Sequence, residues 1–135
     1  MEETQVLHRG RLIDHIQLVV KDVATSRRFY DAVMATLGLP LGGSADRHFW
    51  YDELFVSSPD GPEALGKLTG RHHLAFQAKN RAMVDSFYKA ALENGGADIL
   101  PKQFDAFVWF DETQAVTPLG PEHHKGMPET YPFEE

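Results

Sequence analysis

The sequence predicts an α+β fold built from two copies of one β-α-β-β-β module. Two aliphatic runs that contain a histidine, at residues 14–20 and 72–78, are each followed by a helical pattern with a Phe-Tyr pair. A gapless shift of 58 positions superimposes the copies. It pairs His15 with His73, Lys21 with Lys79, Phe29-Tyr30 with Phe87-Tyr88, and Gly38 with Gly96. A ladder of matches without a gap is typical of a repeated structural unit.

The first module begins with a predicted strand from Leu12 to Val20, in which His15 and Gln17 point to one face of the sheet. Asp22 is the expected cap of a helix that ends at Gly38. Extended segments follow at residues 39–42, 48–51 and 54–57, and a Ser-Pro-Asp-Gly turn closes the module.

The second module repeats this order after a connection at residues 60–70 that is rich in glycine and proline. We expect a strand at 73–78, a helix from Asn80 to Gly95-Gly96, and strands near 97–100 and 106–110. The parallel weakens from Asp111 onward, and the proline-rich end of the chain predicts an irregular tail rather than a last regular strand. We therefore expect one domain of two modules, at about 11–60 and 71–118, with a tail at 119–135.

Composition limits the function classes. The chain has 135 residues, 42% apolar residues and a formal charge of −7, which is ordinary for a globular protein and argues against a nucleic-acid partner. It has no cysteine, hence no thiolate nucleophile. No apolar run approaches the ~20 residues that span a bilayer, and the first residues do not resemble a signal peptide, so a cytoplasmic protein without membrane contact is expected.

Several short motifs in the sequence resemble those of the vicinal oxygen chelate superfamily, which includes glyoxalase I, extradiol dioxygenases and bleomycin-resistance proteins. They are Asp-His-Ile-Gln-Leu-Val-Val-Lys-Asp-Val, Ser-Arg-Arg-Phe-Tyr, Leu-Gly-Leu and, later, His-His-Leu-Ala-Phe, over roughly residues 11–100. The resemblance implies paired modules that curl into an open, cup-like mixed sheet with helices outside and a divalent metal on the concave faces. Reactions within such a fold differ widely.

Carried over by position, the resemblance makes His15 and His73 metal ligands. Imidazole and carboxylate ligands suit zinc, nickel, iron or manganese. A histidine buried in the sheet with a hydrogen-bonded ring is the alternative. The adjacent pair His123-His124 is not expected to bind metal, because neighbouring side chains in an extended segment diverge.

Two carboxylates complete the predicted metal set. The shift of 58 residues aligns Glu53 with Asp111. The resemblance implies that a carboxylate near Glu53 binds the metal and also transfers the proton. Glu53 could equally lie in a solvated turn. The usual final strand with a glutamate is replaced here by Phe-Asp-Glu-Thr-Gln, so the fourth ligand is Asp111, Glu112, a water, or absent.

Other residues are candidates for substrate contacts. Gln17 and Gln77 share strand faces with the two histidines and could touch substrate oxygen or simply line a polar cup. Aromatic residues on strand-like segments could wall a cleft or fill the core. They are Phe49, Tyr51, Phe107 and Trp109.

Three function classes follow from the resemblance. The first is glyoxalase-like chemistry on a 2-hydroxy-carbonyl type of substrate, with Glu53 moving a proton. The second is metal-free binding of an aromatic or drug-like ligand, as in bleomycin resistance. The third, extradiol dioxygenase chemistry, fits the ligand types but usually occurs in longer chains.

A homodimer is also expected. Open sheets leave edges and apolar surface that need cover, and twofold pairing is the commonest solution among soluble proteins. The tail from Pro118 to Glu135 could then cross to the partner through Tyr131 and Phe133.

Overall fold

A computed structural model describes residues 13–61, 64–69, 72–98 and 108–119, and within them the β-α-β-β-β order occurs twice. The first copy consists of β1 (Ile16–Val19), α1 (Val23–Thr36), β2 (Gly43–Ala45), β3 (His48–Tyr51) and β4 (Leu54–Ser57). The second consists of β5 (His73–Gln77), α2 (Arg81–Glu93), β6 (Ala97–Asp98), β7 (Val108–Phe110) and β8 (Gln114–Leu119). The predicted α+β class is confirmed.

The strands form two open four-stranded sheets with the same topology. The first sheet has the order β1-β4-β3-β2 and the second the order β5-β8-β7-β6. In each, the first and last strands of the module pair in parallel, while the other pairings are antiparallel. The duplication seen in sequence is therefore a duplication of topology, expressed as two mixed sheets.

Both helices begin at the predicted caps. The side chain of Asp22 accepts a hydrogen bond from Thr25 N at 3.0 Å, and Asn80 accepts one from Met83 N at 2.9 Å. The bonds from Thr25 lower the pKa of Asp22. Gly38 follows α1 with φ +77°, the left-handed conformation that glycine adopts most easily. Neither described helix is long and apolar enough to cross a membrane.

The last strand corrects the expectation of an irregular end. Residues Gln114–Leu119 form β8, which lies between β5 and β7 and is buried from Ala115 to Pro118. Pro118 lacks an N–H and lowers the strand signal in the sequence, but burial between two partner strands outweighs that local preference. The remainder of the predicted tail, from residue 120, lies outside the described residues.

One hydrophobic core joins the two modules. Leu18, Phe29 and Val56 from the first module share it with Phe87 and Phe110 from the second. The rings of Phe29 and Phe110 stack with centroids 3.9 Å apart and planes 6° apart. The two helical sides of the sheets thus face this common core.

The turn between β7 and β8 adds polar contacts between the two modules. The buried hydroxyls of Tyr30 and Thr113 lie 2.5 Å apart. Glu112 Oε1 accepts hydrogen bonds from the backbone N–H groups of Lys21, at 2.8 Å, and Asp22, at 3.1 Å. The start of α1 is therefore fixed by a carboxylate from the other module.

Candidate functional site

The strand register arranges the side chains of the first sheet in rows. Buried residues such as Leu18 and Val56 point to the core, so alternate residues form the opposite surface, which we call the open face. Partner residues on neighbouring strands stand side by side. One row across the open face is Gln17, Phe55, Trp50, Gly43, and the next is Val19, Ser57, His48, Ala45.

A third row brings two predicted site residues together. Ile16 pairs with Leu54 in parallel register, and Ile16 N donates to Glu53 O at 2.8 Å. Continuing the register by one residue places Glu53 beside His15, and side-chain alternation puts both on the open face with Gln17.

His15 is exposed, and its ring has a defined partner. Nδ1 lies 2.9 Å from Asp14 Oδ1. A carboxylate at one imidazole nitrogen orients the ring and leaves the other nitrogen, Nε2, as the one that could bind a metal, the arrangement that accompanies histidine ligands in metal sites.

Aromatic rings form a continuous ladder along the open face. Trp50 and Phe55 stack with centroids 5.3 Å apart, and His48 stacks on Trp50 at 5.7 Å. The ring of His15 meets Phe55 edge-on at 5.5 Å. The ladder links the His15–Glu53 row to the row of His48.

Two glycines make room for this ladder. A Cβ atom at Gly42 would lie 2.5 Å from Trp50 indole atoms, and one at Gly43 would lie 2.4 Å from them. No side chain larger than hydrogen fits under the indole without moving it. The Gly42-Gly43 pair therefore allows the indole of Trp50 to lie against the backbone of β2.

A cleft of about 480 Å³ opens on this face. Its lining includes His15, Gln17, Arg47, His48, Phe55 and Ser57. Gln17 Nε2 donates to Ser57 Oγ at 2.8 Å, and Arg47 lies 3.9 Å from Asp60. The described residues that line the cleft all come from the first module.

The second sheet holds the equivalent histidine without an equivalent carboxylate. His73 pairs with Ala115, so Ala115 occupies the position that Glu53 has beside His15. His73 Nε2 lies 2.8 Å from Thr117 Oγ1. The position beside this histidine cannot supply a metal-binding oxygen from its side chain.

The expectation that Asp111 matches Glu53 is corrected by the register. Leu54 and Val116 are structurally equivalent and lie 62 residues apart, whereas the first strands and helices keep the shift of 58. The β3–β4 hairpin turns directly after the pair that contains Leu54, whereas the β7–β8 hairpin continues for two residue pairs beyond the one that contains Val116. Asp111 therefore lies in an exposed turn, where it accepts a hydrogen bond from Trp109 Nε1 at 2.9 Å.

The other predicted residues fall on different surfaces. Phe49 and Tyr51 are 0% and 2% exposed and pack in the core, opposite the cleft. Gln77 and Trp109 lie on the open face of the second sheet, with His73. Phe107 and His123-His124 lie outside the described residues.

Trp50, Phe55, His48 and Arg47 are site residues that the sequence patterns did not single out. The adjacent glycines at 42 and 43 were the available signal, because a glycine within a strand often marks close approach of another group. Across the part of the chain that is described, no group of three or more His, Asp or Glu side chains is positioned to hold a metal ion. His15 and Glu53 thus offer a partial ligand set.

Comparison with known proteins agrees with this architecture. The sequence profile of the Glyoxalase/Bleomycin resistance protein/Dioxygenase superfamily matches residues 12–105. No curated protein matches the chain significantly.

Solved structures share the fold at low sequence identity. A glyoxalase/bleomycin resistance protein from Albidiferax ferrireducens superimposes with a TM-score of 0.69 and 24% identity, over 81% of this chain and 98% of the other. A lactoylglutathione lyase from Agrobacterium tumefaciens gives 0.59 and 16%, over 87% and 98%. A glyoxalase/bleomycin resistance protein/dioxygenase family enzyme from Burkholderia phytofirmans gives 0.62 and 14%, over 79% and 96%.

Proposed function

Because the chain belongs to the glyoxalase/bleomycin resistance protein/dioxygenase superfamily, we propose that it is a metal-dependent enzyme that moves a proton on a small oxygenated substrate. The proposed substrate class is a 2-hydroxy-carbonyl compound, as in glyoxalase chemistry. The observation that supports the proposal is the strand register, in which the position of Glu53 neighbours that of His15, a residue that lines an open cleft.

His15 and Glu53 are the residues that would hold the divalent ion. An imidazole oriented by Asp14 and a carboxylate fit zinc, nickel, iron or manganese. When bound, such an ion polarises neighbouring oxygens of a substrate. His73 is the proposed further ligand.

Glu53 and residues of the cleft provide the remaining functions in this proposal. Glu53 takes the proton from the carbon next to the carbonyl and returns it to the neighbouring position. Ser57 accepts a hydrogen bond from Gln17, so its own hydroxyl hydrogen can point at a substrate oxygen. The aromatic ladder excludes water from one side of the reacting group.

We propose that the protein acts as a homodimer. His15 and His73 lie on the open faces of two different sheets, and both are exposed in the single chain. A second copy whose second sheet faces the first sheet would bring a partner's histidine to the cleft and cover the exposed aromatic rings.

A second candidate function is binding of an aromatic ligand without chemistry. Two observations favour it: Ala115 stands where the second module needs a carboxylate, and the rings of Trp50, Phe55 and His48 form an extended apolar wall. Extradiol dioxygenase chemistry has no comparable support, although its usual set of two histidines and one carboxylate is available in principle.

Metal titration tests the first proposal. In calorimetry with zinc or nickel, His15→Ala and Glu53→Gln should each lower affinity by ~10-fold or more, because each removes one ligand. His48→Gln is the matched control, since it changes a histidine of the same cleft two rows away. Unchanged affinity in both ligand variants contradicts the metal site.

Proton exchange then separates catalysis from binding. Metal-loaded protein should exchange the α-proton of a hemithioacetal or 2-hydroxy-carbonyl substrate for deuterium, and Glu53→Gln should slow this by about 10²-fold or more. NMR in deuterated water measures the rate. If no substrate in a panel exchanges while aromatic compounds bind tightly, the binding function replaces the enzymatic one.

A further inference from the structure

We infer that the cleft of the first sheet takes a planar aromatic carboxylate, with its ring against Phe55 and its carboxylate at Arg47. The inference rests on the proposed function and deepens it by naming the substrate class. Its basis is the order in which polar, aromatic and charged side chains follow one another along the open face.

The middle row recognises a flat ring. Phe55 lines the cleft, is half-buried, and stacks on Trp50 with planes only 13° apart. The absence of side chains at Gly42 and Gly43 leaves room for the indole in this position, where it stacks between Phe55 and His48. Rings that are already ordered lose little conformational entropy when another ring packs against them.

The end of the cleft at the β2–β3 turn favours an anion. Arg47 is the permanent cation of the described lining, and the neighbouring His48 ring offers a further hydrogen-bond donor to an anion. The Arg47–Asp60 contact is long, at 3.9 Å, and both side chains are about two-thirds exposed, at 69% and 65%. Such a contact is weak, so a ligand carboxylate can pair with the guanidinium of Arg47 and lose little free energy by breaking the contact with Asp60.

A backbone hydrogen bond fixes the main chain at Arg47. Ser58 N donates to Arg47 O at 2.9 Å, which ties the β2–β3 turn to the chain that leaves β4. In a chain with a net charge of −7, this edge of the cleft is a local exception. A cationic ligand would meet Arg47 here, and this charge selects against it.

The spacing of the rows sets the order of groups in the ligand. Neighbouring rows are two residues apart along each strand, or about 6.6 Å, so the outer rows are about 13 Å apart. His15 and Glu53 lie on one side of the aromatic row, and His48, preceded by Arg47 in the β2–β3 turn, lies on the other. A carboxylate held at Arg47 directs the opposite end of the ring toward the His15–Glu53 row.

Naphthoate tests this inference in protein stripped of metal with EDTA, so that the result is independent of metal binding and catalysis. The two tryptophan indole N–H signals are followed by NMR and assigned with Trp109→Phe. Naphthoate should shift the Trp50 signal and leave the Trp109 signal unmoved. Naphthamide, which is flat but uncharged, and decalin carboxylate, which is charged but not flat, should each bind more weakly.

Two variants separate the ring from the charge. Phe55→Leu should weaken naphthoate about tenfold, the size expected for a lost aromatic pair. Arg47→Gln should weaken naphthoate about fivefold, a modest effect because Arg47 is exposed, and should leave naphthamide unchanged. Trp109→Phe is the control on the second sheet and should leave both affinities unchanged.

The inference is overturned if the Trp50 signal does not respond to naphthoate, or if decalin carboxylate or naphthamide binds as tightly as naphthoate. Equal naphthoate affinity of Phe55→Leu and the natural protein would overturn it as well. A failed metal titration with intact naphthoate binding would instead remove the proposed enzyme and keep this ligand class.

Discussion

Introducing a carboxylate beside His73 should create a second metal-binding pair. Ala115 occupies the position equivalent to Glu53, so Ala115→Glu reproduces the His15–Glu53 row on the second sheet. Ala115 is only 6% exposed, and the larger side chain should cost about 1–3 kcal/mol of unfolding free energy without metal. Zinc at about 100 times its Kd should return about 2.7 kcal/mol.

Thermal unfolding with and without zinc measures both effects. For a domain of this size, 1 kcal/mol corresponds to roughly 3–5 °C in Tm, so zinc should raise the Tm of Ala115→Glu by about 10 °C more than that of the natural protein. Ala115→Gln is the matched control, because it has the same size and no ionised oxygen. If zinc stabilises both variants equally, the two rows are not equivalent and the reasoning from the register is wrong.

Three further predictions concern stability. Tyr30→Phe and Thr113→Val should each cost about 1–3 kcal/mol by leaving a buried hydroxyl unpaired, and the double variant should cost less than their sum; additive urea midpoints would contradict this. Burial lowers the pKa of His72, whose ring nitrogens have no partner among the described residues, so stability should fall as pH drops below about 6.5. The imidazole protonates more readily in the unfolded chain, and His72→Gln should therefore flatten the pH dependence of urea unfolding between pH 7.5 and 5; an equally steep profile would count against this role. Gly96→Ala would place a Cβ 2.7 Å from Val108 Cγ1 and should cost about 1–3 kcal/mol in the same assay, whereas an unchanged midpoint would show that the packing there yields.

The sequence predicted those parts of the repeat that depend on local interactions, namely the helix caps and the first strand of each module. The caps Asp22 and Asn80 and the strands that carry His15 and His73 fall where the gapless shift predicts them. The shift failed at the last hairpin, because turns lengthen at little cost in free energy and leave no periodic signal. Asp111 was matched to Glu53 for that reason.

The sequence could not predict on which side of the sheet each aromatic residue lies. Residues 48–51 read His-Phe-Trp-Tyr, so both faces of β3 are aromatic and alternation cannot distinguish the core from the cleft. Only the tertiary packing shows that Phe49 and Tyr51 lie in the core while Trp50 lies on the open face, stacked on Phe55.

The longer hairpin of β7 and β8 has a consequence for how the chain folds. Its turn supplies the contacts that reach the first module, and these join residues 83 to 91 positions apart in sequence. Contacts of such long range form late and slow the folding of a chain. An isolated first half would expose the rings of Phe29 and Tyr30 to water, so the duplicated halves should unfold together in one cooperative transition rather than one after the other.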